Sequence, residues 1–190
     1  MYIHSSAEVE DGATIGPDTK IWHLCHVRRG AQIGSECVLG RGVFIDSGVI
    51  IGSRVKIQNY VSVFHGVTVE DGVFIGPHVC FTNDRLPRAV NPDQTLKRGD
   101  DWTLSTTLLC AGASIGANAT IVCGITIGHW AMVGAGSVVT HDVPEFGLVV
   151  GNPARLIGYI CACGIRYTTP DAARTCPSCE AKRAQELPVE

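Results

Sequence analysis

Fourteen positions spaced by six residues are all large and apolar, and no other feature limits the fold as much. They are Ile3, Val9, Ile15, Ile21, Val27, Ile33, Leu39, Ile45, Ile51, Ile57, Val63, Val69, Ile75 and Phe81. All but Leu39 and Phe81 are β-branched. Four residues after each comes a second restricted slot, small in Ala7, Ala13, Thr19, Cys25, Ala31 and Cys37, then valine from Val43 to Val79. The beat pauses and resumes at Leu109, Ile115, Ile121, Ile127, Val133 and Val139. A period of six suits neither a helix nor plain two-residue alternation. It suits short strands joined by tight corners, each strand turning one large and one small side chain into a shared core. Glycines such as Gly12, Gly30, Gly48, Gly66 and Gly72 fall where corners are expected, and glycine accepts backbone angles that other residues resist. Repeats this short bury their inner face only by stacking, which predicts an all-β parallel β-helix.

Two segments stand outside the beat. Residues 82–108 are rich in Asn, Asp, Arg and Pro. Because the register recovers afterwards, they read as an ordered loop extruded from one corner, and polar loops of this length are usually functional. After the phrase Val-Val-Gly-Asn-Pro-Ala-Arg ending at Arg155, the tail contains Cys161-Ala-Cys163-Gly and Cys176-Pro-Ser-Cys179. Two short-spaced cysteine pairs read as the knuckles of a zinc ribbon, a closed structural site of four thiolates. The expected division is therefore 1–155 for the β-helix and 156–190 for the tail, with a short helix or frayed end over 180–190.

Composition narrows the partners. A net charge of −3, without basic runs, argues against nucleic acid. No apolar run approaches membrane-spanning length and the N-terminus lacks a leader pattern, so the expected location is cytoplasmic. Of the nine cysteines, Cys25 and Cys37 occupy the small inward slot, where a thiol packs as a compact apolar group. Eighteen-residue columns place His65 and Asn83 together on the outside, about 4.8 Å apart as neighbouring strands are, where the polar loop departs and Asp84 follows.

The repeats match the pattern [LIV]-[GAED]-x-x-[STAV]-x, and over residues 3–155 the chain resembles the hexapeptide-repeat acyltransferases. The resemblance implies a left-handed β-helix of triangular section. Val-Ser-Val-Phe-His-Gly-Val at 61–67, Phe-Thr-Asn-Asp-Arg-Leu-Pro-Arg-Ala at 81–89 and Ile-Trp-His-Leu-Cys-His-Val at 21–27 look like bacterial N-acetyltransferases of nucleotide-linked 3-amino-3-deoxy sugars. The branch it most resembles acetylates a UDP-linked 2-acetamido-3-amino-glucuronate for surface polysaccharide. That likeness implies a homotrimer with active sites between subunits, and Asn83 and Asp84 at the sugar amine. The position of His65 is usually acidic in that group, so the resemblance leaves the base open: His65, or the departing CoA sulfur. It also implies acetyl-CoA along the later coils, near Ala111, Gly112, Cys123, Gly124, Gly134, Ala135 and Gly136, with Arg155 at a CoA phosphate. Arg29 and Arg88 are the candidates for the nucleotide diphosphate. An O-acetyltransferase of a simple sugar or serine is the alternative. The other histidines lack the spacing of the γ-type zinc carbonic anhydrases built on this fold, and a non-catalytic scaffold would not need the polar loop.

Overall fold

A six-residue repeat leaves room for only the shortest strands, and most strands here are two residues long. The computed structural model describes residues 1–180; all but the first residue of the expected 180–190 helix or frayed end lies outside the described residues. Each strand pairs in parallel with the one eighteen positions on: Tyr2 with Lys20, Glu8 with His26, Thr14 with Gln32. Three parallel faces result. The first holds Tyr2–Ile3, Lys20–Ile21, Val38–Leu39, Lys56–Ile57, Phe74–Ile75, Ser114–Ile115 and Met132–Val133, and the second and third interleave with it. This is a parallel β-solenoid of the left-handed type.

The beat maps directly onto the core. The second residue of each strand points inward, and Ile21, Val27, Leu39, Ile45, Ile57 and Ile75 are all fully buried. Ile3, in a first coil with a neighbour on one side only, is 39% exposed. The small slot also answers the polar demands of the corners. Thr19 Oγ1 donates to the Gly34 carbonyl at 2.8 Å and accepts from Cys37 N at 3.0 Å. The Cys25 and Cys37 thiols donate to the carbonyls of Gly40 and Gly52, so buried polar groups find partners. Burial raises both thiols above the ordinary range, which suits inert packing groups.

Glycine does fall at corners as expected, but it does not supply them all. Most corners have one residue with positive φ, the first (residues 4–7) and the one at 140–142 being exceptions, and two of the three edges accept almost anything there. Between the third and first faces that residue is Asp18, Glu36, Arg54, Gly72, Gly112, Trp130 or Phe146. Between the first and second it is Leu24, Gly42, Tyr60, His78, Asn118 or Gly136. Between the second and third it is Gly12, Gly30, Gly48, Gly66 and Gly124, always glycine.

The polar loop leaves from that glycine edge. It departs after Cys80–Phe81 on the second face and returns at Thr107–Leu109 on the third, where Val67 pairs with Thr107. Thr107 and Leu108 therefore belong to the strand, and the loop ends two residues earlier than expected. A hydrogen bond from Ser105 N to the Asn83 carbonyl, 3.2 Å, closes its neck.

The tail continues the first face. Gly147–Val150 pairs with Met132–Val133 in parallel, then Arg155–Ile160 and Arg166–Tyr167 are added antiparallel. The expected boundary at 155/156 thus falls inside a strand. The helix Pro170–Arg174 starts from Thr169, whose hydroxyl accepts from Ala172 N. A second small core forms from Cys161, Ala173, Cys176 and Cys179, with Phe146, Tyr159 and Tyr167 packed against it.

Candidate active site

The glycine edge carries a ladder of charges that composition alone does not reveal. His26 Nε2 lies 2.9 Å from Glu10 Oε1, Arg28 Nε lies 3.6 Å from the same oxygen, and Arg28 Nη1 reaches Asp46 Oδ1 at 2.8 Å. These residues are eighteen, or close to eighteen, positions apart, so stacking brings them together. The backbone N–H of Arg29 and a hydrogen bond from His26 hold the Glu10 carboxyl below its ordinary range. Burial works to raise Asp46. The backbone N–H groups of Ser47 and His65, with the Arg28 guanidinium, outweigh that and hold it low.

His65 is the exposed next step of this ladder. Its backbone N–H donates to Asp46 Oδ2 at 3.2 Å, and its Nδ1 lies 2.7 Å from the Ser47 carbonyl oxygen. A carbonyl only accepts, so Nδ1 must donate, and in the neutral ring Nε2 then has a free lone pair. The backbone thus selects the tautomer in which the outer nitrogen can take a proton. The floor beside it is bare: a Cβ on Gly48 would stand 3.4 Å from the imidazole.

Asn83 sits in the next coil at the loop neck, its carbonyl bonded as above. Asp84 Oδ1 accepts from Leu86 N at 2.8 Å and shapes the first turn of the loop. Further out, Arg85, Arg88 and Lys97 share an open groove of about 650 Å3 with Leu86, Val90 and Asn91. Arg29 lies on the same edge, two coils below His65, with its backbone N bonded to Glu10. His65, Asn83, Asp84, Arg29 and Arg88 are all therefore on one edge or its loop.

The residues expected along CoA are not together within one chain. Ala111 and Gly112 stand at the third-to-first corner, where Ala111 N donates to Glu70 Oε2 and Gly112 packs under the Trp130 ring. Cys123 and Gly124 stand at the glycine edge. The side chain of Cys123 is fully buried and its N–H donates to Thr82 Oγ1, so it is a packing residue under the loop neck rather than an open contact. Gly134, Ala135 and Gly136 stand at the first-to-second corner, where a Cβ on Gly134 would meet Val150, the pairing partner of the exposed Arg155. Only this last group and Arg155 are neighbours.

In the tail, the ligand atoms of Cys161, Cys163, Cys176 and Cys179 all lie within 4.8 Å of one another. The Cys163–Cys176 and Cys179–Cys161 sulfur separations are 3.7 and 3.9 Å. A tetrahedral zinc with bonds of about 2.3 Å separates its sulfurs by about 3.8 Å, so the donor set fits such an ion, with the 2.9 Å Cys161–Cys163 pair opening slightly. The Tyr167 hydroxyl bonds to Cys176 and lowers that thiol, which favours a thiolate. All nine cysteines stand as free thiols.

Sequence reasoning missed the ladder and the role of the Ser47 carbonyl. The first was readable, because Glu10, Arg28 and Asp46 share one column of eighteen-residue steps. The second was not, since a backbone acceptor leaves no trace in residue identity.

Comparison with known proteins agrees with this architecture. Residues 2–47 match the bacterial transferase hexapeptide (six repeats), and residues 30–65 and 111–141 match the hexapeptide repeat of succinyl-transferase; together they cover half of the chain. The chain belongs to the hexapeptide-repeat family. Within that family, it is 53% identical over 70 residues to a dTDP-3-amino-3,6-dideoxy-alpha-D-galactopyranose 3-N-acetyltransferase of Aneurinibacillus thermoaerophilus, 37% of this chain and 36% of that protein. It is 35% identical over 133 residues to serine acetyltransferase 4 of Arabidopsis thaliana, 69% of this chain and 30% of that one. A hexapeptide-repeat acetyltransferase of Vibrio cholerae, solved with acetyl coenzyme A, superposes with a TM-score of 0.50 at 28% identity, covering 64% of this chain and 69% of that one. This hexapeptide-repeat chain spans about a third of the length of the two curated relatives. Among the described residues, no helix is long and apolar enough to cross a membrane.

Proposed function

We propose that this hexapeptide-repeat protein is an acetyl-CoA-dependent N-acetyltransferase acting on the 3-amino group of a UDP- or dTDP-linked sugar, at the edge carrying His65, Asn83 and Asp84. The observation that carries the reading is the exposed His65 imidazole, whose Nδ1 is committed to the Ser47 carbonyl and whose Nε2 is left free to accept a proton. The 53% identical segment shared with a nucleotide-sugar 3-N-acetyltransferase supports the substrate class.

The reaction needs few groups. The amine nitrogen attacks the thioester carbonyl carbon, a C–N bond forms and the C–S bond breaks. His65 Nε2 accepts the amine proton and returns it to the CoA sulfur. Asn83 and Asp84 orient the amine, since holding the two reactants together supplies much of the rate. The cations Arg85, Arg88 and Lys97 meet the diphosphate across the loop groove, and Arg29 does so from the lower coils. CoA runs past Gly134, Ala135, Gly136 and Arg155. The Ala111, Gly112 and Gly124 backbones reach it only if a second copy brings another edge alongside, which supports a homotrimer with sites between subunits. The solenoid is the catalytic unit, and the tail that begins with the strand Arg155–Ile160 is a zinc-bound appendage held through Cys161, Cys163, Cys176 and Cys179. Free thiols and these substrates suit the cytoplasm.

The test is to mix the protein with acetyl-CoA and a panel of UDP- and dTDP-linked amino sugars, neutral sugars and serine. Acetylation of a nucleotide-linked amine is expected, with CoA release in equal amount. Turnover of serine or a neutral sugar alone would replace this reading with an O-acetyltransferase, the reaction class of the second relative.

A further inference from the structure

On the third face, the slot just after each large inward residue is Gly16, Gly34, Gly52, Glu70, Cys110 and Gly128. Four of six are glycine, and the two exceptions are metal-ligating types in consecutive coils, since Val69 pairs with Leu109. Leu109 in turn pairs with Ile127, and His129 stands two residues after it. We infer a second metal site at Glu70, Cys110 and His129, taking a divalent ion of zinc type, on a different edge from the loop and separate from the four-cysteine cluster.

The geometry supports it. The three ligand atoms lie within 4.8 Å of one another, and His129 Nδ1 is 4.0 Å from Glu70 Oε2. Bonds of about 2.0–2.3 Å set tetrahedral ligand atoms about 3.2–3.7 Å apart. Closing the remaining gap, at most about 1.6 Å, falls chiefly to His129, whose side chain is about half exposed. Cys110 is buried and supplies the fixed point. The Glu70 carboxylate is preset by the Ala111 N–H at 2.8 Å.

Thiolate, imidazole and carboxylate together select a borderline ion such as zinc over calcium or magnesium. Burial, with the Glu70 and Glu145 carboxylates nearby, raises the free thiol, and a metal takes cysteine as its thiolate. Binding therefore exchanges a proton for the metal: Cys–SH and M2+ give Cys–S–M+ and H+. The same two carboxylates draw the cation in. Three protein ligands leave a fourth position for water or a substrate atom. Glu70 also lines a groove of about 380 Å3 with Ile50, Thr68, Val69 and Ala111, and the exposed His129 puts the site at the surface.

Cobalt(II) is the probe. The full chain, stripped with a chelator, is titrated with Co2+ while thiolate-to-cobalt charge transfer and bound metal are measured. One equivalent is expected to survive in a C176S/C179S variant, to disappear in C110S, and to weaken at least about tenfold in H129A and E70Q. H129A alters an exposed side chain and keeps the test independent of any folding defect in C110S. Loss of all cobalt in C176S/C179S, or unchanged binding in C110S and H129A, overturns the site.

Discussion

The three edges of this prism are built from one repeat, yet they tolerate different residues. Two edges place Asp, Glu, Arg, Leu, Tyr, His, Asn, Trp or Phe at the positive-φ position, with φ near 55–59°. The third uses only glycine, and Gly12, Gly66 and Gly124 open to φ of 81–92°, beyond the left-handed well that other residues visit. That edge also carries the charge ladder, His65 and the loop. A common corner geometry thus suffices for folding. Close neighbours are not peculiar to the stricter edge: Leu104 would stand 2.9 Å from a Cβ on Gly66, but Trp130 would stand 2.6 Å from one on Gly112.

If the edges differ in function as they do in build, the largest contrast lies between two histidines. His65→Ala should lower kcat by roughly 10²–10⁴, the usual contribution of a general base, with little change in KM for acetyl-CoA. His78→Ala, on an edge where the ring stacks on Tyr60, should change kcat less than about twofold, as surface substitutions do. Asn83→Ala should raise the sugar KM along with a loss in kcat. Steady-state kinetics of the three variants decide the matter. A near-wild-type His65→Ala enzyme would transfer the proton to the CoA sulfur and remove His65 as the base.

Metal removal should separate the loop edge from the far end of the first face. The purified chain should contain zinc at the four-cysteine cluster, and a chelator should disorder the tail while the solenoid stays folded on its own core. Hydrogen exchange should then rise over 161–179 and stay low in the repeats. Loss of protection throughout the solenoid would show that the tail strands, paired onto Gly147–Val150, hold the fold together.

The repeat itself was legible because each coil restates the same instruction: Ile21, Leu39, Ile57 and Ile75 are both the beat and the core. Columns of eighteen also made the shared edge readable, with His65 on it and Asn83 at its loop neck. What the letters do not contain is the third dimension across coils. Small residues at Ala111, Cys123 and Gly134 look alike in sequence but occupy three different corners. Cys123 counts as outward by register, yet the loop neck buries it. The tail pattern of four cysteines was readable, while its continuation of the first face was not, since antiparallel addition leaves the six-residue period.

A smaller effect sharpens the glycine rule. Gly66→Ala adds a Cβ 2.9 Å from Leu104 Cδ1 at φ +92°, and should cost about 1–3 kcal/mol in unfolding experiments while loosening the loop and raising the sugar KM. Gly72→Ala, at φ +68° with no atom nearer than 4.0 Å to the added Cβ, should cost about 1 kcal/mol and leave the kinetics alone. Equal costs and equal kinetics at both sites would mean that the third edge is glycine for backbone reasons only.

The smallest contrast compares two ion pairs. Asp46 is well buried, with 14% of its side chain exposed, and meets Arg28 at 2.8 Å; Asp71 is 51% exposed and meets Arg54 at 2.9 Å. Asp46→Asn should lose about 1 kcal/mol at pH 7, and Asp71→Asn less than about 0.5 kcal/mol, as exposed pairs do. Because the folded state depresses the Asp46 carboxyl, its contribution is fully present above the unfolded value of about 4. It is lost as pH falls through the lower folded value. Urea melts of wild type and Asp46→Asn should therefore differ at pH 7 and pH 5 and converge below about pH 4. Asp46→Asn also exchanges an acceptor for an N–H donor on one side of the carboxyl, so the His65 backbone N–H risks losing its partner. A severalfold loss of kcat at pH 7 is expected from this variant and none from Asp71→Asn. If the two behave alike, the ladder is surface charge and the position of His65 depends on the Ser47 carbonyl alone.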